Sequence, residues 1–195
     1  GINTNEDNVS VTTINGGTLN ILCDGKTGEG DGIDSNGWLV INGGTVVSQA
    51  CATSGDAGID SDLGVYINGG KVVASGNMLD RIAGGEQTYA VFNFAHRQVG
   101  DSAYTLKNNE NKVIGEYSPT NDFTYLLVAG DELVEGDYTF WQGDTQLAAA
   151  AMGNMQGKKP MGGSQQPPED INGERPELPE GMENPPEMPE GMTRL

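Results

Sequence analysis

The chain has 195 residues, 35% of them hydrophobic, with 30 glycines, nine prolines and a formal charge of −18. A surface this acidic repels nucleic acid and anionic membranes, because both are held through Lys and Arg, and no run approaches the ~18 apolar residues of a spanning helix. Two cysteines and one histidine offer no zinc spacing, and there is no phosphate-binding loop or dinucleotide fingerprint.

Residues 1–80 are a repeat zone. Ile14-Asn15-Gly16-Gly17-Thr18 returns as Ile41-Asn42-Gly43-Gly44-Thr45 and again as Ile67-Asn68-Gly69-Gly70-Lys71. In phase with it, Gly32-Ile33-Asp34-Ser35-Asn36 returns as Gly58-Ile59-Asp60-Ser61-Asp62, and Gly1-Ile2-Asn3-Thr4-Asn5 is a worn copy. Between these motifs lie short β-branched runs bounded by Gly, Asn or Asp, which read as strands. The same motif returning in phase after about 26 residues predicts parallel stacking of about three coils, a short parallel β-helix. The Gly-Gly pair predicts a sharp corner, Ile33 and Ile59 an inward stack, and Asn15, Asn42 and Asn68 an amide ladder of structural character. The chain begins inside a repeat motif, which suggests a piece of a longer stack with an exposed edge at residues 9–22.

From residue 81 the pattern changes. Residues 89–94, 103–107, 112–117, 123–129 and 138–142 read as longer strands separated by turn signals such as Gly100-Asp101 and Glu135-Gly136-Asp137. Residues 81–147 therefore predict an antiparallel β cap that closes the coil stack and blocks its edge. Residues 148–195 begin with an alanine run, good for one helical turn at most. They continue as a segment with eight of the nine prolines and no aromatic residue, expected to be disordered. Its reading as a tether and its reading as a passive tail both stand.

The chemistry concentrates in acids. Asp34 and Asp60 share one coil position, Asp62 stacks below Asn36, and Asp31 and Asp56 lie just upstream of the same turns. Carboxylates stacked one strand spacing apart repel unless a cation or proton intervenes. Oxygen-only ligands suit Ca²⁺ rather than Zn²⁺, so Asp31, Asp34, Asp56, Asp60 and Asp62 are the candidate metal ligands. The competing reading is that these residues shape turns through local backbone bonds. Trp38 and Tyr66 lie an even number of residues before Asn42 and Asn68. If those amides point outward, the two rings are candidate platforms for a sugar; otherwise they are core. Cys23 and Cys51 are one coil apart but one position out of register, open to a disulfide or to simple stacking. His96 reads as a surface residue.

The run Gly30-Asp31-Gly32-Ile33-Asp34-Ser35-Asn36-Gly37 followed by Ile41-Asn42-Gly43-Gly44-Thr45-Val46 resembles the repeat of a bacterial family of secreted carbohydrate-binding domain-containing proteins. Leu126–Val128 and Leu133–Thr139 look like the final strands of that family's cap. The resemblance covers residues 1 to about 145. It implies a right-handed parallel β-helix similar in shape to pectate lyases, located outside the cell or on its surface. It further implies Ca²⁺ binding and non-catalytic recognition of acidic plant polysaccharide such as polygalacturonate, with cellulose a further candidate. Two alternatives remain: a pectate-lyase-like enzyme with Lys71 or Arg81 as base, and a structural surface or adhesin stalk.

Overall fold

A computed structural model describes residues 1–5, 7, 9–26 and 30–153, and the part of the expected disordered segment beyond residue 153 lies outside the described residues. The protein is all-β, with sixteen strands and no helix among the described residues.

Each repeat supplies one strand to each of three sheets. The three-residue strands β1 (Ile2–Thr4), β4 (Ile33–Ser35) and β7 (Ile59–Ser61) form the first sheet. The second contains β2 (Val11–Ile14), β5 (Trp38–Ile41), β8 (Gly64–Ile67) and β10 (Ile82–Gly84). The third begins with β3 (Thr18–Leu22), β6 (Thr45–Gln49) and β9 (Lys71–Gly76). All these pairings are parallel, and the register matches the sequence motifs residue for residue: Ile14 pairs with Ile41 and Ile41 with Ile67.

The corners between second and third sheets are the Asn-Gly-Gly turns. Gly17, Gly44 and Gly70 take φ of +83°, +91° and +85°, a region in which a Cβ would meet the following carbonyl. The amide ladder forms on the outside: Asn42 Nδ2 donates to Asn15 Oδ1 and Asn68 Nδ2 to Asn42 Oδ1, both at 2.8 Å. Inside the coils, Ile33, Leu39, Ile41, Val46, Val65, Ile67 and Val72 are fully buried. Each such side chain contributes about 1.5–3 kcal/mol by leaving water, which is what a single coil could not gain alone.

The five expected C-terminal strands are present as β11 (Tyr89–Gln98), β12 (Tyr104–Asn108), β13 (Val113–Tyr117), β14 (Phe123–Ala129) and β15 (Tyr138–Gln142). They do not form a separate sheet. β14 pairs antiparallel with β9, so the third parallel sheet continues into a nine-stranded mixed sheet ordered β13-β12-β15-β16-β11-β14-β9-β6-β3. The sixteenth strand, β16 (Thr145–Gly153), absorbs the alanine run expected to be helical or unstructured. It fills the gap between β15 and β11, with Ala148 opposite Phe140 and Ala150 opposite Phe92. Small side chains there leave room for the two phenyl rings, whose centroids lie 5.3 Å apart, and this pairing overrides alanine's helical propensity.

β11 and β14 form a wall with a core on each face. Val91, Leu127 and Ala129 face the coil interior. Ala90, Phe92, Phe94, Phe123, Leu126 and Val128 face a second, aromatic core with Tyr104, Tyr117 and Phe140. The nine-stranded sheet curls around this second core as a half-barrel. The turn after β13 is tied back onto the coils: Gln49 Oε1 accepts from the Thr120 and Asn121 amides at 2.7 and 3.1 Å. Asn121 Nδ2 donates to the carbonyls of Cys23 and Ala50 at 2.8 and 2.6 Å.

Candidate functional site

The first sheet carries the acids. Its strands alternate in, out, in, so the isoleucines and serines of β4 and β7 are buried and the aspartates between them are partly exposed. Asn3 is in register with Asp34 and Asp34 with Asp60. Asn3 Nδ2 donates to Asp34 Oδ2 at 2.8 Å. The inward serines hold the turns that follow and the coil before: Ser35 Oγ donates to the Trp38 carbonyl at 3.0 Å, Ser61 Oγ accepts the Gly64 amide at 2.9 Å and donates to the Gly37 carbonyl of the preceding coil at 2.9 Å.

Asp31 and Asp56 lie on the loops entering these strands. Asp31 Oδ1 accepts the Ala57 amide at 2.7 Å, and the Asp56 carboxyl sits over Gly30 in space that a Cβ would occupy. Burial pushes the Asp31 carboxyl up to about 6, against the opposing bond from Ala57, and the charges of Asp60, Asp56 and Asp34 push the same way. Burial also raises Asp60, with Asp62 and Asp56 adding to it. Asp62 itself is exposed. Asn36, one coil earlier, gives its Nδ2 to Asp7 Oδ1 at 2.7 Å. The fold therefore gathers Asp31, Asp34, Asp56 and Asp60 into one electrostatic neighbourhood and leaves Asp62 at its rim.

A further acid belongs to this column and escaped the sequence reading. Asp80 Oδ2 accepts the Ser61 amide at 3.1 Å. β7 is the last strand of its sheet, so the carboxylate takes the place of a missing neighbour strand. Burial pushes Asp80 up to about 6, and the Asp60 charge adds to this, while Arg81 opposes it. Asp80 follows Asp60 by 20 residues rather than 26, so no spacing marks it. Among the described residues, no three His, Cys, Asp or Glu side chains converge into a ready-made metal cage.

The aromatic platform is different from the expectation. The ladder amides are exposed and Trp38 has their parity, yet Trp38 is only 6% exposed. Its ring offers no face to a sugar. Tyr66 is half-buried, with its ring edge packed over Gly84. The cysteines are free and engaged separately: Cys23 Sγ donates to the Asp31 carbonyl at 2.8 Å, and Cys51 Sγ lies 3.3 Å from Thr53 Oγ1. His96 is exposed. Of the two candidate bases, Lys71 opens β9 on another sheet and pairs with Glu132 at 3.2 Å. Arg81 stands next to Asp80 at the end of the acidic column.

No protein-family model, curated protein or solved structure matches this chain.

Proposed function

We propose that this protein is a non-catalytic, extracellular or cell-surface module that binds acidic polysaccharide through Ca²⁺. On this reading the three-sheet stack is a right-handed parallel β-helix of about three coils. The observation that carries the proposal is the gathering of Asp31, Asp34, Asp56 and Asp60 in one neighbourhood, where burial, with the charges of Asp60, Asp56 and Asp34 adding to it, pushes the Asp31 carboxyl up to about 6. Such a group at neutral pH calls for a cation. Ca²⁺ accepts flexible oxygen coordination from carboxylates, carbonyls and water, so it tolerates a site whose side chains are spread along a column. An ion held there retains positions for the carboxylates of a uronate polymer, which an acidic protein could not otherwise approach.

Affinity electrophoresis in polygalacturonate, with Ca²⁺ and with chelator, tests this. Retardation that needs Ca²⁺ and is lost in D60N supports it, and unchanged mobility in every lane removes it.

The burial of Trp38 favours a second reading, a structural stalk in which Ca²⁺ stiffens the coils and no sugar binds. A clear Ca²⁺-dependent rise in melting temperature together with silence on a glycan array selects that reading over the first.

A further inference from the structure

Four Asn-Gly pairs lie among the described residues: Asn15-Gly16, Asn36-Gly37, Asn42-Gly43 and Asn68-Gly69. In such a pair the side-chain amide is open to attack by the next backbone nitrogen, because glycine has no Cβ to obstruct the approach. The fold does not treat the four alike.

Three of them are restrained. Asn36 Nδ2 donates to Asp7 Oδ1 at 2.7 Å, and Gly37 is buried against the Ser10 backbone. Asn42 Nδ2 donates to Asn15 Oδ1, and half-buried Gly43 lies against the Asn15 carbonyl. Asn68 Nδ2 donates to Asn42 Oδ1, and the Gly69 amide donates to the Ile41 carbonyl at 3.3 Å. In each case the nitrogen that would have to leave is committed as a donor.

Asn15 differs in leaving group, nucleophile and oxygen. Its Nδ2 donates to none of the described residues. Gly16 is exposed, with no atom within 4 Å of where its Cβ would stand. Asn15 Oδ1 accepts from Asn42 Nδ2 at 2.8 Å, so a donor stands at the oxygen on which negative charge develops when Cγ is attacked. The ladder bonds all run in one direction, and that polarity singles out its first amide.

We propose that Asn15 is a site of spontaneous deamidation, and that the ladder and the Asp7 contact protect the other three pairs. Gly16 N bonds to Asn15 Cγ, the Cγ–Nδ2 bond breaks, and Nδ2 leaves as ammonia with the proton from Gly16. Solvent water then opens the cyclic imide to aspartate or isoaspartate, with no change of oxidation state. An aspartate keeps the bond from Asn42, now made to a charged acceptor. An isoaspartate lengthens the backbone at the corner.

Ageing the full chain in mildly alkaline buffer, folded and in urea, followed by tryptic peptide mapping, tests this. Residues 1–26 carry Asn15-Gly16 and residues 27–71 carry the other three pairs. In the folded protein Asn15 is expected to convert at least about fivefold faster than Asn36, Asn42 or Asn68, the factor set by one hydrogen bond of ordinary net strength. In urea the four pairs should convert at similar rates. G16A meets no crowding at its Cβ, so it should stay folded and stop conversion at Asn15 over the same interval. Conversion of any of the other three as fast as Asn15 in the folded protein overturns the proposal. A preference for Asn15 that persists in urea does so too, as does conversion that G16A leaves unchanged.

Discussion

Asp34 and Asp60 are paired across β4 and β7 in register, two carboxylates on adjacent strands of one sheet, with Asn3 Nδ2 bonded to the first at 2.8 Å. A parallel sheet holds its strands about 4.8 Å apart, so the pair is held close by backbone hydrogen bonds that the side chains cannot relax. The pH behaviour of the fold follows from two partly buried carboxyls beside this pair, Asp31 and Asp80.

Burial and neighbouring charge raise Asp31 and Asp80 to about 6 from 3.8. The folded protein thus holds more protons than the unfolded chain between about pH 4 and 6. Their unstrained, protonated forms are fully present below the unfolded value, and stability is lost as pH rises through about 6. Metal-free protein should melt at a higher temperature at pH 5 than at pH 7. Each carboxyl accounts for on the order of 1 kcal/mol, since both stay partly solvated and screened. D31N keeps an oxygen for the Ala57 amide and should raise the melting temperature at pH 7 while flattening this slope. Thermal melts in chelator from pH 4.5 to 7.5 check it; steady destabilisation on acidification through that window is incompatible with it.

The amide ladder makes a graded prediction. Asn42 both donates to Asn15 and accepts from Asn68, whereas Asn15 and Asn68 each make one ladder bond. With a typical net value near 1 kcal/mol per hydrogen bond, N42A should cost about 2 kcal/mol and N15A about half that. Urea denaturation of the two variants measures the ratio, and equal losses would show that the bonds do not act separately.

At the corners, position matters more than residue type. Gly44 has φ of +91°, and a Cβ there would lie 2.6 Å from the Gly17 carbonyl oxygen. Gly16 has no atom within 4 Å of that point. G44A should therefore cost about 2 kcal/mol or more, and G16A should stay within about 0.5 kcal/mol of wild type. Similar stabilities for both variants would argue against the corner geometry.

Trp38 gives a spectroscopic check on the missing sugar platform. In W141F it is the sole tryptophan, and at 6% exposure it should emit at short wavelength and resist acrylamide. Polygalacturonate should leave its emission unchanged. W38A should cost about 3–5 kcal/mol, the usual penalty for emptying a large aromatic site. Emission near that of free tryptophan would contradict this placement.

The coil period, the Asn-Gly-Gly corners, the inward isoleucines and the register of Asp34 on Asp60 were all legible in the amino-acid order. Each is dictated by a short motif whose geometry is local and whose repetition fixes its neighbour one coil away. The strands from Tyr89 to Gln142 were legible for the same reason, through alternation and turn residues. Other features depended on segments distant in sequence. Trp38 has the parity of an exposed residue, but parity names a face and not what covers it. The alanines of β16 become a strand because Phe92 and Phe140 need small residues opposite them, an aromatic packing condition no local propensity contains. Asp80 joins the acids because β7 ends its sheet and an unpaired amide needs an acceptor. The acidic column, with which the candidate chemistry begins, thus follows from the repeat itself. Its closing residue follows only from how the C-terminal strands return onto the coils.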